Sequence, residues 1–116
     1  MRIGLIGTGS MGHAHAPAWQ YLHWMGAELV GVVSNRNEAT EAFAAEYGLK
    51  AYDTYEALLA DVDIVDICVP TNLHKEMTLQ AAQAGKHVIC EKPIALTVAD
   101  GQAMIDACKQ ARVHLL

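Results

Sequence analysis

The sequence contains no basic run, no apolar stretch of membrane length and no paired cysteine motif, and each gap removes a class of protein. Eight Lys and Arg stand against thirteen Asp and Glu, a formal net charge of −5 with no basic stripe. The electrostatic footprint of a nucleic-acid binder is therefore missing. No apolar run approaches the ~20 residues that a bilayer-spanning helix needs, so no membrane partner is expected. The chain enters a strand-like segment at once, without the apolar run and cleavage site of a signal peptide, and a cytoplasmic location is expected. The three cysteines, Cys68, Cys90 and Cys108, are odd in number, far apart and set in apolar surroundings. They read as buried, reduced thiols rather than a disulfide framework or a zinc site. Six histidines are scattered, and none has the i, i+4 spacing around a Glu that marks a helical metal site. No metal is expected, and all but His13 and His74 read as ordinary surface or core histidines.

What is present is a core. Hydrophobic residues make up 53% of the 116 and charged residues 18%, a composition that excludes disorder. No repeat, low-complexity segment or linker divides the chain, so one domain is expected. Strand-length apolar runs alternate with segments of helical period. Strands are expected at Arg2–Ile6, Glu28–Ser34, Lys50–Tyr52, Ile64–Val69, His87–Cys90 and Val113–Leu116. Helices are expected at Met11–Met25, at Glu38–Tyr47 with Asn37 as N-cap, from Asp53-Thr54-Tyr55-Glu56 to Ala60, at Leu73–Ala84, and from a capping box at Thr97-Val98-Ala99-Asp100 to Ala111. Glycines 26, 48 and 85 stand just past three of the helices. Continuous Val/Ile/Leu strands are covered on both faces, which predicts an α/β fold, a doubly wound parallel sheet of about six strands. Asp66 falls inside a strand and must find a partner or the strand's exposed end. The apolar finish at Val113–Leu116 suggests that the natural chain continues and that a sheet edge is left open to self-association.

The motif that carries chemistry is Gly7-Thr8-Gly9-Ser10-Met11-Gly12. G-x-G-x-x-G is informative only where it follows a strand and opens a helix, as it does here. Gly7 permits a tight turn, Gly9 lets a pyrophosphate approach the backbone, and Gly12 allows close helix packing. The N–H groups and dipole at the helix start then favour phosphate oxygens. A site built for NAD places Asp or Glu at the tip of the second strand to accept from the ribose 2′-hydroxyl. Here the tip is Ser34-Asn35-Arg36, a hydroxyl, an amide and a guanidinium, which suit a 2′-phosphate better. NAD(P) is the expected cofactor, with NADP favoured over NAD.

Three segments together carry a resemblance: Gly7-x-Gly9-x-Met11-Gly12-x-x-His15, Val69-Pro70-Thr71-Asn72-x-His74, and Gly85-Lys86-His87-Val88-x-Cys90-Glu91-Lys92-Pro93. The chain resembles, over essentially its whole length, the N-terminal domain of the glucose–fructose oxidoreductase/inositol 2-dehydrogenase (Gfo/Idh/MocA) family. The resemblance implies that the glycine loop and Met11 hold the pyrophosphate. It places Pro70, Thr71, Asn72 and His74 along the adenine–nicotinamide crevice, Glu91 at the nicotinamide end and Lys92 on the substrate. It implies an unusual peptide geometry at Pro93. It also implies a second, larger domain that supplies most of the substrate site and the contacts of a homo-oligomer. None of that domain is here, so the chain alone is expected to be inactive.

Lys92 follows the fifth strand beside the sheet's crossover crevice, where doubly wound folds bind ligands. A lysine desolvated there can relay the proton of a substrate hydroxyl while the cofactor takes the hydride. The expected function is therefore the cofactor-binding domain of an oxidoreductase acting on a sugar, cyclitol or related polyol. The alternatives are a non-catalytic NAD(P)-sensing module, and a biliverdin- or dihydrodipicolinate-type reductase on the same fold. An intact Glu91-Lys92-Pro93 speaks against the sensor, which has no need of a proton-relaying lysine.

Overall fold

Five of the six expected strands form, and the segment after each folds back as a helix. The computed structural model describes all residues 1–116. Its elements are β1 (Arg2–Ile6), α1 (Ser10–Tyr21), a 3₁₀ turn (Leu22–Met25), β2 (Glu28–Val33), α2 (Asn37–Tyr47), β3 (Lys50–Ala51), α3 (Tyr55–Asp61), β4 (Ile64–Ile67), α4 (Thr71–Gln83), β5 (His87–Cys90) and α5 (Val98–Ala111). The five strands form one parallel sheet in the order β3-β2-β1-β4-β5. The chain winds outward from β1 to β3, then returns to the other side of β1 to lay down β4. The carboxyl ends of β1 and β4 therefore flank the point where the winding reverses, and a crevice opens there.

Side-chain alternation sorts the strand residues into two cores. Ile3, Leu5, Leu29 and Val32 pack with Ala16 of α1 and Phe43 and Ala44 of α2. Ile6, Val33, Val65, Ile67 and Val88 pack with Leu58 and Leu59 of α3, Ala81 and Ala82 of α4 and Cys108 of α5. Thr54 and Thr97 cap α3 and α5 by accepting from the backbone N–H groups of Ala57 and Asp100. Both lie within the capping signatures of the sequence, Asp53-Thr54-Tyr55-Glu56 and Thr97-Val98-Ala99-Asp100.

Several boundaries depart from the sequence expectation, most by a single residue; β4 stops at Ile67, two residues before the expected Val69. The helix expected to run to Met25 is α-helical only to Tyr21 and tightens to a 3₁₀ turn before Gly26, which is left-handed. Asn37 is the first residue of α2 rather than its cap; Arg36 holds the cap position with no side-chain bond. α4 begins at Thr71, two residues before Leu73. The expected sixth strand, Val113–Leu116, does not form a ladder. It lies parallel beside β5 through a single bridge, Val88 to Leu115, with Val88 and Cys90 donating to the carbonyls of His114 and Leu116 at 2.8 and 2.9 Å. Arg112, left-handed at φ 59°, turns the chain onto that edge.

Candidate dinucleotide site at the carboxyl edge of the sheet

The glycine loop joins β1 to α1. Gly7 has φ 104°, and a Cβ there would lie 2.6 Å from the carbonyl oxygen of Cys68, so no other residue fits without strain. A Cβ on Gly12 would collide with the carbonyl oxygen of Gly7, which fixes how closely α1 seats on its own entry loop. Gly9 is different: an added Cβ would meet nothing within 4 Å. Its lack of a side chain serves nothing inside the protein and leaves open space above the first turn of α1. That turn carries no capping side chain and no acidic residue, so its N–H groups face outward unfilled.

The open space continues into a groove of about 410 Å³. Its walls come from the loops after β1 (Gly7, Thr8, Gly9), after β2 (Ser34, Asn35), after β3 (Asp53, Thr54) and after β4 (Cys68, Val69, Pro70). A larger hollow of about 610 Å³ between α3 and α4, lined by Glu56, Gln80 and Lys86 among others, lies away from these loops. Of the residues singled out in the sequence, Gly7, Thr8, Gly9, Ser34, Asn35 and Pro70 line the groove itself. Ser10 and Asn72 are exposed on the first turns of α1 and α4. Met11 is partly buried and packs on the core beneath α1. Ser34 is spent on its own turn: its hydroxyl meets that of Thr40 at 2.7 Å and accepts from the Arg36 N–H at 3.3 Å. Arg36 itself is exposed. Asp53, which sequence reasoning treated only as part of a helix cap, is the one acid in the groove lining.

His74 is 1% exposed and does not line the crevice. Its Nε2 lies 2.8 Å from the Val69 carbonyl oxygen and its Nδ1 3.1 Å from that of Pro93. It ties the end of β4 to the turn after β5, where the Lys92–Pro93 peptide is cis. His13 is also not at the groove; it stands exposed, 4.7 Å from the Phe43 ring and 3.0 Å from the Tyr47 hydroxyl.

His15 is also outside the groove lining, but it reaches a residue of it: its Nδ1 lies 3.4 Å from the Cys68 Sγ. Together with Met11 and Trp19 it occupies one stripe of α1, facing the sheet. Its Nδ1 lies 2.9 Å from Asp66 Oδ2 and its Nε2 3.0 Å from Glu91 Oε1. Trp19 donates its indole N–H to the same Asp66 oxygen at 2.6 Å, and the Cys68 thiol reaches the other at 3.6 Å. Asp66 is wholly buried, so the partner that a carboxyl inside a strand requires is found on α1. Burial works against a charged His15, but hydrogen bonds and charge from Asp66, then from Glu91, outweigh it and hold its pKa above the ordinary 6.5. Burial first, then the neighbouring carboxyls, pushes the Cys90 thiol up to about 12 and raises that of Cys68 further. His15, Asp66 and Cys68 bring three ligand-type atoms within 4.8 Å of one another, but each is engaged in hydrogen bonds with the others.

Glu91 completes the cluster. Its Oε2 accepts from the Lys92 backbone N–H at 3.0 Å and lies 3.9 Å from Lys92 Nζ. The Lys92 side chain is 86% exposed, so the desolvation expected of it is not supplied by these residues.

Residues 1–116 match the family described as "Oxidoreductase family, NAD-binding Rossmann fold", GFO_IDH_MocA, and the match leaves no part of the chain over. The chain belongs to this family. It is 38% identical to a levoglucosan dehydrogenase from Pseudarthrobacter phenanthrenivorans, over all of this chain and 32% of the relative. It is 38% identical to a myo-inositol 2-dehydrogenase from Thermotoga maritima, over 99% of this chain and 35% of the relative. Among solved structures, a dehydrogenase from Bordetella pertussis in complex with NADH and UDP-GlcNAcA superposes with a TM-score of 0.91 at 33% identity, covering all of this chain and 34% of that one. The chain thus spans about a third of the length of the relatives it matches.

The residues present fit the dinucleotide that the family name implies. Gly9 leaves room where a side chain would stand, and the uncapped starts of α1 and α4 meet the same edge of the sheet. No helix is long and apolar enough to cross a membrane.

Proposed function

We propose that these 116 residues are the dinucleotide-binding domain of an NAD(P)-dependent dehydrogenase acting on a sugar, cyclitol or related polyol. The substrate domain and the homo-oligomer contacts then lie in residues outside this chain. What carries the reading is the pairing of the glycine loop with the Glu91-Lys92-Pro93 turn on one edge of the sheet, joined through His15. Gly7 and Gly12 shape the loop, and Gly9 with the first turn of α1 receives the pyrophosphate. Pro70, Thr71 and Asn72 border the crevice between the two ends of the dinucleotide. The bound nicotinamide supplies the hydride acceptor or donor. Lys92 Nζ, held beside Glu91, takes the proton of the substrate hydroxyl during oxidation and returns it during reduction. A closing substrate domain supplies the dry surroundings that the exposed amine lacks.

The same reading favours NADP over NAD. Arg36 is exposed just past the end of β2, and the Ser34-Asn35-Arg36 tip carries no carboxylate of its own to accept from a 2′-hydroxyl. Calorimetric titration of NADP(H) and NAD(H) tests both statements. Tighter NADP(H) binding that Arg36→Ala reduces about tenfold, one lost charge-assisted contact, is expected. Tighter NAD(H) binding would give the ribose role to Asp53 and overturn the preference. Failure of both to bind would overturn the function.

A further inference from the structure

The His15 cluster is not needed to explain the glycine loop, yet its side chains are joined to one another by a connected set of hydrogen bonds. It draws on three elements: His15 and Trp19 from α1, Asp66 and Cys68 at the end of β4, and Glu91 at the end of β5. Both ring nitrogens of His15 meet carboxyl oxygens, at 2.9 and 3.0 Å. A carboxylate only accepts, so the fit is complete when the ring donates from both nitrogens, as an imidazolium does. Asp66 is anchored independently, through Trp19 at 2.6 Å and by full burial. Glu91 has no such anchor: its Oε1 depends on His15, and its Oε2 takes the Lys92 N–H and faces the Lys92 amine.

We propose that His15 is a positioning residue, whose imidazole, held at one nitrogen by the buried Asp66, fixes the Glu91 carboxylate with the other and through it sets the Lys92 amine. The inference rests on the reading of Lys92 as the proton-relaying group. The groups facing the ring are Asp66 from β4, Cys68 just beyond it and Glu91 from the turn after β5, with the Lys92 amine 3.9 Å from the other Glu91 oxygen. The balance among them favours the charged ring, so the hold on Glu91 is complete below pH 6.5 and is lost as the pH rises through the raised value of His15.

The ring can be followed directly in this chain by NMR of labelled histidine. The His15 midpoint should lie above 6.5, and Glu91→Gln, which keeps the side-chain shape, should lower it with little change in melting temperature. A midpoint at or below 6.5, or one that Glu91→Gln leaves unmoved, overturns the proposal, whether or not Lys92 is catalytic. In the enzyme that carries this domain, His15→Gln should lower kcat about 10- to 100-fold, the usual effect of a misplaced reacting group, and leave the cofactor KM within about twofold. It should also remove an alkaline limb from the kcat profile that the parent shows. Unchanged kcat, or a loss confined to KM, overturns the proposal. If Lys92→Met retains kcat while the ring titration behaves as stated, the proton-relay reading fails and the hold of His15 on Glu91 stands.

Discussion

Gly9→Ala separates binding from folding more cleanly than any other change in the chain. Gly9 sits at φ −84° and ψ −168°, extended backbone that alanine adopts freely, and the added methyl meets nothing within 4 Å. Two small terms act on stability. Alanine narrows the unfolded ensemble, a gain of about 0.4–1 kcal/mol. Alanine is also a poorer N-cap than glycine, a loss of roughly 0.5–1 kcal/mol. They nearly cancel, so the melting temperature should stay within about 4 °C of the parent. Binding has no compensating term. The methyl occupies the space above the first turn of α1, and forcing a bound pyrophosphate away should cost about 1–3 kcal/mol, roughly 5- to 150-fold in Kd. Thermal melts and calorimetry on the same two samples read both effects. Gly12→Ala is the contrast: its methyl strikes the Gly7 carbonyl, so folding and binding should weaken together. A Gly9→Ala chain that binds dinucleotide as the parent does would refute the reasoning, because the open space would then not be where phosphate lies. A variant that fails to fold would refute it equally, by showing that the space is needed by the protein.

Two further outcomes follow from other parts of the fold. Lys92→Met removes the amine and keeps the apolar stem; in the enzyme that carries this domain, kcat should fall roughly 10²- to 10⁴-fold with cofactor affinity nearly constant, and near-normal kcat would reduce Lys92 to a turn residue. At the far end of the sheet the Tyr52 hydroxyl, at 2.6 Å, and then the Lys50 ammonium, at 3.0 Å, hold the Asp61 carboxyl below its ordinary 3.8. A lowered folded value contributes stability above 3.8 that is lost as the pH falls through it, so the gap in urea midpoint between parent and Asp61→Asn should be full near about pH 6 and shrink on acidification; a gap that widens in acid would refute the assignment.

The order of strands and helices was legible in the sequence because alternation of apolar runs with glycine stops is a local signal. The fate of Val113–Leu116 was not, since its composition suits a strand and only the neighbouring edge decides how much of it pairs. The same division runs through the site. Gly7, Gly9 and Gly12 could be assigned distinct roles from their spacing, and the structure gives each a different neighbour. His15 was set among the ordinary histidines, although it recurs with Met11 and Trp19 on the stripe of α1 that meets the sheet. Asp66 was recognised as a charge in need of a partner, and a search for polar residues on that stripe would have found His15 and the Trp19 indole. Lys92 was expected to be dry, but burial at the edge of a sheet depends on residues beyond the strand's own and cannot be read from its neighbours in sequence. Asp53 shows the limit from the other side: a residue that reads as helix entry becomes a groove wall because β3 ends beside β2.

The burial of Asp66 has a consequence for how the molecule moves. Its two oxygens are served by α1 and by Cys68, and its side chain is wholly buried. Lifting α1 from the sheet would strand a carboxyl inside a strand, at roughly 3–5 kcal/mol, a large fraction of the stability of a domain this size. The same lift would release Glu91, which lies 76 residues further along the chain than His15. The glycine loop and the tip of β5 are therefore one mechanical unit, opening together or not at all.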